Sequence, residues 1–118
     1  MRRRGLRTEH SGEDTVQLGL QTDVVTAHLV GAVTATDAST ALKTGYDARA
    51  GHWPTEVLAA LGVDPATLPA VVPPGTVLGP LGRAGADRTG LAAGTPVVAG
   101  VTDGGAAQIA AGAVAPGQ

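Results

Sequence analysis

The run Gly94-Thr95-Pro96-Val97-Val98-Ala99-Gly100-Val101-Thr102-Asp103-Gly104-Gly105, continued by Ala106 to Val114, constrains this chain more than any other stretch. It reads as a buried strand over Thr95–Val101, a glycine-lined turn and a small-residue helix, with one carboxylate, Asp103, at the joint. Open α/β sheets place ligand chemistry at the carboxyl ends of their strands. Glycines beside such a point let a ligand approach the backbone closely. A strand–turn–helix of this kind also needs neighbouring strands, so the fold class expected is α/β.

Size and composition narrow the setting. At 118 residues the chain is at most one domain. Its apolar content is mostly Ala, Val and Leu, with one Trp, one Tyr and no Phe. Small side chains bury little area each, and glycine and proline, about a fifth of the residues, raise the backbone entropy lost on folding. A marginally stable unit that wants a partner domain is expected. The net charge is −2, and basic residues cluster only in the first seven positions, which argues against a nucleic-acid partner. No cysteine is present, which excludes disulfides and thiolate metal sites. No apolar run reaches the ~20 residues of a membrane span. Met1 to Arg7 resembles the charged start of a signal peptide, but Thr8 to Asp14 is polar and acidic where an apolar stretch should follow. A cytoplasmic location is expected.

Along the chain, residues 1–21 show no sustained period and read as a flexible tail, and 22–118 read as one partial domain with no internal repeat or hinge. Thr22 caps a helix that Gly31 stops. Thr36 or Asp37 caps a second short helix reaching Lys43, and Thr44–Asp47 is a turn. Trp53–Gly62 is the clearest helix, with an apolar stripe of Val57, Leu58 and Leu61. Asp64–Pro69 is a capped single turn. Val71–Gly79 is extended, and its prolines exclude a central strand. Arg83–Thr89 is a short helix ended by Gly90, and Asp103 opens the last helix.

The blocks Ala35-Thr36-Asp37-Ala38-Ser39-Thr40-Ala41-Leu42, Thr44-Gly45-Tyr46-Asp47, Trp53-Pro54, Val57 to Asp64, Leu68 to Val72, Pro74 to Gly79, Thr89-Gly90-Leu91 and Gly94 to Gly112 resemble, in order and interval, the carbohydrate kinases of the FGGY family. The pentulose (xylulose-like) kinases are nearest, chiefly through Ala41–Asp47 and Thr102-Asp103-Gly104. The resemblance covers the later part of the family's first domain. It implies a fragment of an actin-like, ribonuclease-H-like domain, with a pentulose-like sugar as substrate and ATP and magnesium as the intact family's cofactors. It places the catalytic base on Asp103, which also touches substrate together with Gly104, and assigns no metal ligand. Phosphoryl transfer needs positioning and an acid that takes the sugar hydroxyl's proton. An ordinary aspartate, with a pKa of about 3.9, is ionised for that task at neutral pH. The family's phosphate loop and ATP-binding domain have no counterpart in these residues, so this polypeptide is expected to be inactive alone. Its expected partners are the missing kinase halves or a second copy of itself. The alternatives are a non-enzymatic interaction or oligomerisation module, packed through Ala106–Ala113, or a decayed reading frame in which Thr95–Val101 is an unpaired edge.

Each candidate also has a plain structural reading. Asp103 can cap the last helix and still be a base. Gly104 and Gly105 can be turn residues as readily as substrate clearance. Asp37 reads as a cap or helix-start acid rather than a sugar ligand, and Asp47 and Asp64 as turn and cap residues. His10, His28 and His52 lack metal-ligand spacing. Trp53 reads as a packing anchor for the helix it precedes. Arg2–Arg4 read as solvated.

Overall fold

The computed structural model describes residues 16–117. The readings of His10, of Arg2–Arg4 and of the tail up to residue 15 lie outside them. The described residues form a mixed α/β arrangement of five helices and two separate two-stranded sheets. No helix among them is long and apolar enough to cross a membrane.

Helix α1 (Gln21–Val30) begins at Leu20, not at a Thr22 cap, because Asp23 reaches back and its Oδ2 accepts the Leu20 N–H at 2.7 Å. It stops at Gly31, whose φ of 84° is the left-handed geometry that glycine adopts without strain. Strand β1 (Thr36–Asp37) pairs in parallel with β2 (Val71–Val72), Thr36 opposite Val71 and Asp37 opposite Val72. Thr36 is thus a strand residue, and Asp37 alone caps helix α2 (Ala38–Ala41), which tightens into a 3-10 turn over Leu42–Thr44. The turn expected over Thr44–Asp47 starts one residue later, at Gly45, because Thr44 closes the 3-10 turn; beyond it Asp47 Oδ1 accepts the N–H groups of Arg49 and Ala50 at 2.9 Å.

Helix α3 is shorter than its pattern, Thr55–Ala60, with Trp53 and Pro54 ahead of it. Of the apolar stripe, only Leu58 is buried; Val57 and Leu61 stand exposed at 57% and 72%. Trp53 is indeed an anchor, though for a loop: its Nε1–H donates to the Pro69 carbonyl at 3.0 Å, and Tyr46 meets its ring edge-on at 5.2 Å. Asp64 caps the single turn Pro65–Thr67 as its sequence implies.

Strand β3 (Val77–Pro80) runs antiparallel to β4 (Pro96–Val98), with a bulge between Val77 and Gly79. The prolines Pro80 and Pro96 sit opposite each other at the strand ends, where a missing N–H is tolerated. The strand expected over Thr95–Val101 is therefore three residues long and not buried; Val98 is half exposed, because only β3 flanks it and no layer covers its outer face. Helix α4 (Arg83–Thr89) ends at Gly90 as predicted. It lies across the end of α1 on a seam of glycines three residues apart. A Cβ on Gly79 would meet Val30 Cγ1 at 2.8 Å, on Gly82 the Val30 carbonyl at 2.8 Å, and on Gly85 the Leu29 carbonyl at 2.5 Å. That closeness lets Gly82 N–H donate to Leu29 O at 2.8 Å. Helix α5 (Asp103–Ala110) closes the described fold and has no buried residue. Among the described residues the buried apolar side chains are Ala41, Leu58, Leu81 and Ala99. So small a core leaves much apolar surface open, in keeping with the composition.

Candidate active site

Three segments meet at one cleft. They are the first turn of α1, the β1–α2 junction, and the loop from Ala99 to Asp103 that joins β4 to α5. The cleft measures about 470 Å³ and is lined by Asp23, Asp37, Lys43 and Asp103 among others. Carboxylates from three distant parts of the sequence thus share one opening with an ammonium group, which suits a polyhydroxylated ligand.

The carboxylates differ in what they have left to offer. Asp37 is buried, and its Oδ1 accepts the Ser39 hydroxyl and, at 2.9 Å, the Thr40 N–H. Burial pushes its carboxyl up, but the hydrogen bonds from Ser39 and Thr40 outweigh burial and hold it below the ordinary aspartate value. Asp37 is a committed cap, as the plain reading had it. Asp23 is tied to Leu20. Asp103 is exposed at the first position of α5. Its Oδ1 accepts the adjacent Gly104 N–H at 2.9 Å, and its Oδ2 makes no hydrogen bond among the described residues. The N-cap is not Asp103 but Thr102, whose Oγ1 accepts the Gly105 N–H at 3.4 Å. The cap being supplied one residue earlier, the Asp103 carboxylate stays available at the positive end of the helix.

The two glycines have separate jobs. A Cβ on Gly104 would meet nothing within 4 Å, so open space lies over it. A Cβ on Gly105 would meet Val101 Cγ2 at 2.8 Å, so Gly105 lets the loop fold back onto the helix. Both are helical residues of α5 rather than turn residues.

Ser39 was not singled out by its sequence. Its hydroxyl stands between Asp37 and the Thr102 N–H, which donates to Ser39 Oγ at 2.9 Å across 63 residues. The signal that could have found it is Asp37-Ala38-Ser39-Thr40, an acid followed at two and three residues by donors that close on it. Thr36, beside it, is 1% exposed, and its Oγ1 has no partner among the described residues.

These residues do not make a holder for magnesium. Among the described residues no three of His, Cys, Asp or Glu are placed to hold one metal ion, and Asp37 is already engaged by donors. His28 and His52 are exposed and apart, each bonded to a nearby backbone carbonyl through Nδ1.

The N-terminal domain of the FGGY family of carbohydrate kinases matches residues 8–110. The chain belongs to the FGGY family. The match reaches back to residue 8, across part of the stretch that the sequence reading left outside the resemblance. The FGGY N-terminal domain implies an actin-like, ribonuclease-H-like fold, and the mixed helices and small sheets described here are consistent with it. No curated protein matches the chain.

Proposed function

We propose that this chain is the part of an ATP-dependent sugar kinase that supplies the general base, Asp103. The observation that carries the reading is the contrast between the cleft's acids. Asp37 is buried and engaged by two donors, whereas Asp103 is exposed, with one oxygen that makes no hydrogen bond among the described residues, beside the open space over Gly104. A base must have a lone pair to receive a proton. In the reaction, a sugar hydroxyl oxygen forms the new bond to the terminal phosphorus of ATP, the bond to the leaving ADP breaks, and the hydroxyl proton passes to Asp103. Gly104 leaves room for the sugar to reach that carboxylate.

A pentulose is the substrate class this reading favours, on the resemblance of Ala41–Asp47 and Thr102–Gly104 to the pentulose kinases. ATP and magnesium are assigned to a second domain, and this polypeptide alone is expected to transfer no phosphoryl group. The exposed Val77, Val98 and Ile109 are consistent with a surface that such a domain covers. A module that only binds a partner would use the same surface, and activity separates the two.

The test is to put residues 8–110 in place of the corresponding segment of a complete family kinase and to assay ATP-dependent phosphorylation of pentuloses, hexoses and glycerol. Turnover of a pentulose ahead of the others supports the reading. A graft that unfolds cooperatively, binds ATP and phosphorylates no sugar contradicts it.

A further inference from the structure

The turn that carries Asp103 is held from outside its own helix. No residue of α5 is buried, so packing does little to fix where the helix starts. Among the described residues one hydrogen bond crosses from its cap to the rest of the fold: Thr102 N–H donates to Ser39 Oγ at 2.9 Å. The Ser39 hydroxyl in turn donates to Asp37 Oδ1.

The order of donors is dictated by the groups. A backbone N–H can only donate and a carboxylate can only accept, so the hydroxyl between them must accept from Thr102 and donate to Asp37. A serine has one proton to give; once it is committed to Asp37, a lone pair is turned towards Thr102. Bonds in such a chain polarise one another, and the one ending on a charged acceptor is the stronger kind. Asp37 is itself fixed, buried at the end of β1 and capping α2 through the Thr40 N–H at 2.9 Å. The sheet edge at β1 therefore anchors the backbone one residue before Asp103.

We propose that Ser39, backed by Asp37, is a positioning residue for Asp103: it sets the backbone from which the Asp103 carboxylate reaches into the cleft. The proposal rests on Asp103 being the base. Neither Ser39 nor Asp37 need touch the substrate, and their loss should slow the chemical step without weakening sugar binding.

Two measurements test it and keep its failure apart from that of the base assignment. The first uses the 118-residue chain and reads amide hydrogen exchange at Thr102. Ser39→Ala and Asp37→Asn should each speed exchange at Thr102 by about tenfold or more, and leave Ala86, on α4, unchanged. Unaltered exchange at Thr102 in Ser39→Ala overturns the proposal. The second uses the graft described above. Ser39→Ala should lower kcat at least tenfold with KM for the sugar unchanged, and Ser39→Thr, which keeps a hydroxyl, should restore most of it. If Ser39→Ala keeps full kcat while Asp103→Asn is dead, the base assignment stands and the positioning role is refuted. If Asp103→Asn keeps full kcat, the base assignment fails and with it the catalytic meaning of the tether. Should Ser39→Ala unfold, Ser39→Thr decides: wild-type exchange and kcat support the role, and loss of both with the fold intact overturns it.

Discussion

Replacing Gly85 by alanine sets two effects of opposite sign against each other. Gly85 lies inside α4, where alanine is the better helix former by about 1 kcal/mol. Space argues the other way. The added Cβ would sit 2.5 Å from the Leu29 carbonyl oxygen, 2.7 Å from Leu81 Cδ1 and 3.1 Å from Leu29 Cα. Leu81 is buried and has little room to turn, and the Leu29 atoms are backbone in the last turn of α1. Relief requires α4 to back away from α1 by roughly half an ångström or more, which stretches the Gly82 N–H to Leu29 O bond of 2.8 Å. Overpacking of this kind costs about 1–3 kcal/mol, and a weakened hydrogen bond adds about 1 kcal/mol. The net expectation is a loss of about 2 kcal/mol, or a fall in Tm of about 8 °C for a domain of this size. Thermal unfolding of the 118-residue chain by far-UV circular dichroism reads it directly. An alanine variant as stable as the parent, or more so, would show that the glycine seam does not govern how α4 meets α1.

Three further outcomes follow from single residues. Gly104→Ala, in a helical position with nothing within 4 Å of the new Cβ, should raise stability by up to about 1 kcal/mol in a denaturant titration yet raise KM for the sugar in the graft; an unchanged KM argues against clearance at Gly104. Thr36→Val removes a buried hydroxyl without a partner among the described residues and should stabilise the chain by about 1 kcal/mol, whereas a clear loss would mean that the hydroxyl is bonded. The Asp37 carboxyl is held below its ordinary value of 3.8, so its contribution to stability is present above that value and is lost as the pH falls through the lower folded value. Asp37→Asn should flatten the acid limb of Tm against pH below about pH 4, and an acid limb identical to the parent's would refute the linkage.

What the sequence made legible was local chemistry. Gly31 and Gly90 end their helices, Asp64 and Asp37 cap theirs, and Asp103 opens the last, because each such signal acts within about four residues of itself. Boundaries slipped where a competitor lay just outside the pattern: Asp23 reaching back to Leu20 moved the start of α1, and Thr102 took the cap from Asp103. Gly79, Gly82 and Gly85 stand three residues apart, but nothing in that spacing marked them as a seam or says which helix lies on it. The pairing of β1 with β2 and the bond from Thr102 to Ser39 join residues far apart in the chain, and no local period encodes them. The strand expected to be buried leaves Val98 half exposed, and the apolar stripe of α3 leaves Val57 and Leu61 exposed, because an apolar pattern shows which face seeks cover, not whether this chain provides it.

The base assignment turns on one atom-level substitution, Asp103→Asn, made in the graft. It preserves shape and the acceptor oxygen and removes the basicity. General-base catalysis contributes about 10²- to 10⁴-fold, so kcat should fall by that factor while the Kd for the sugar, read by calorimetry, stays where it was. A variant that keeps its full kcat with asparagine at 103 would contradict the account at its centre.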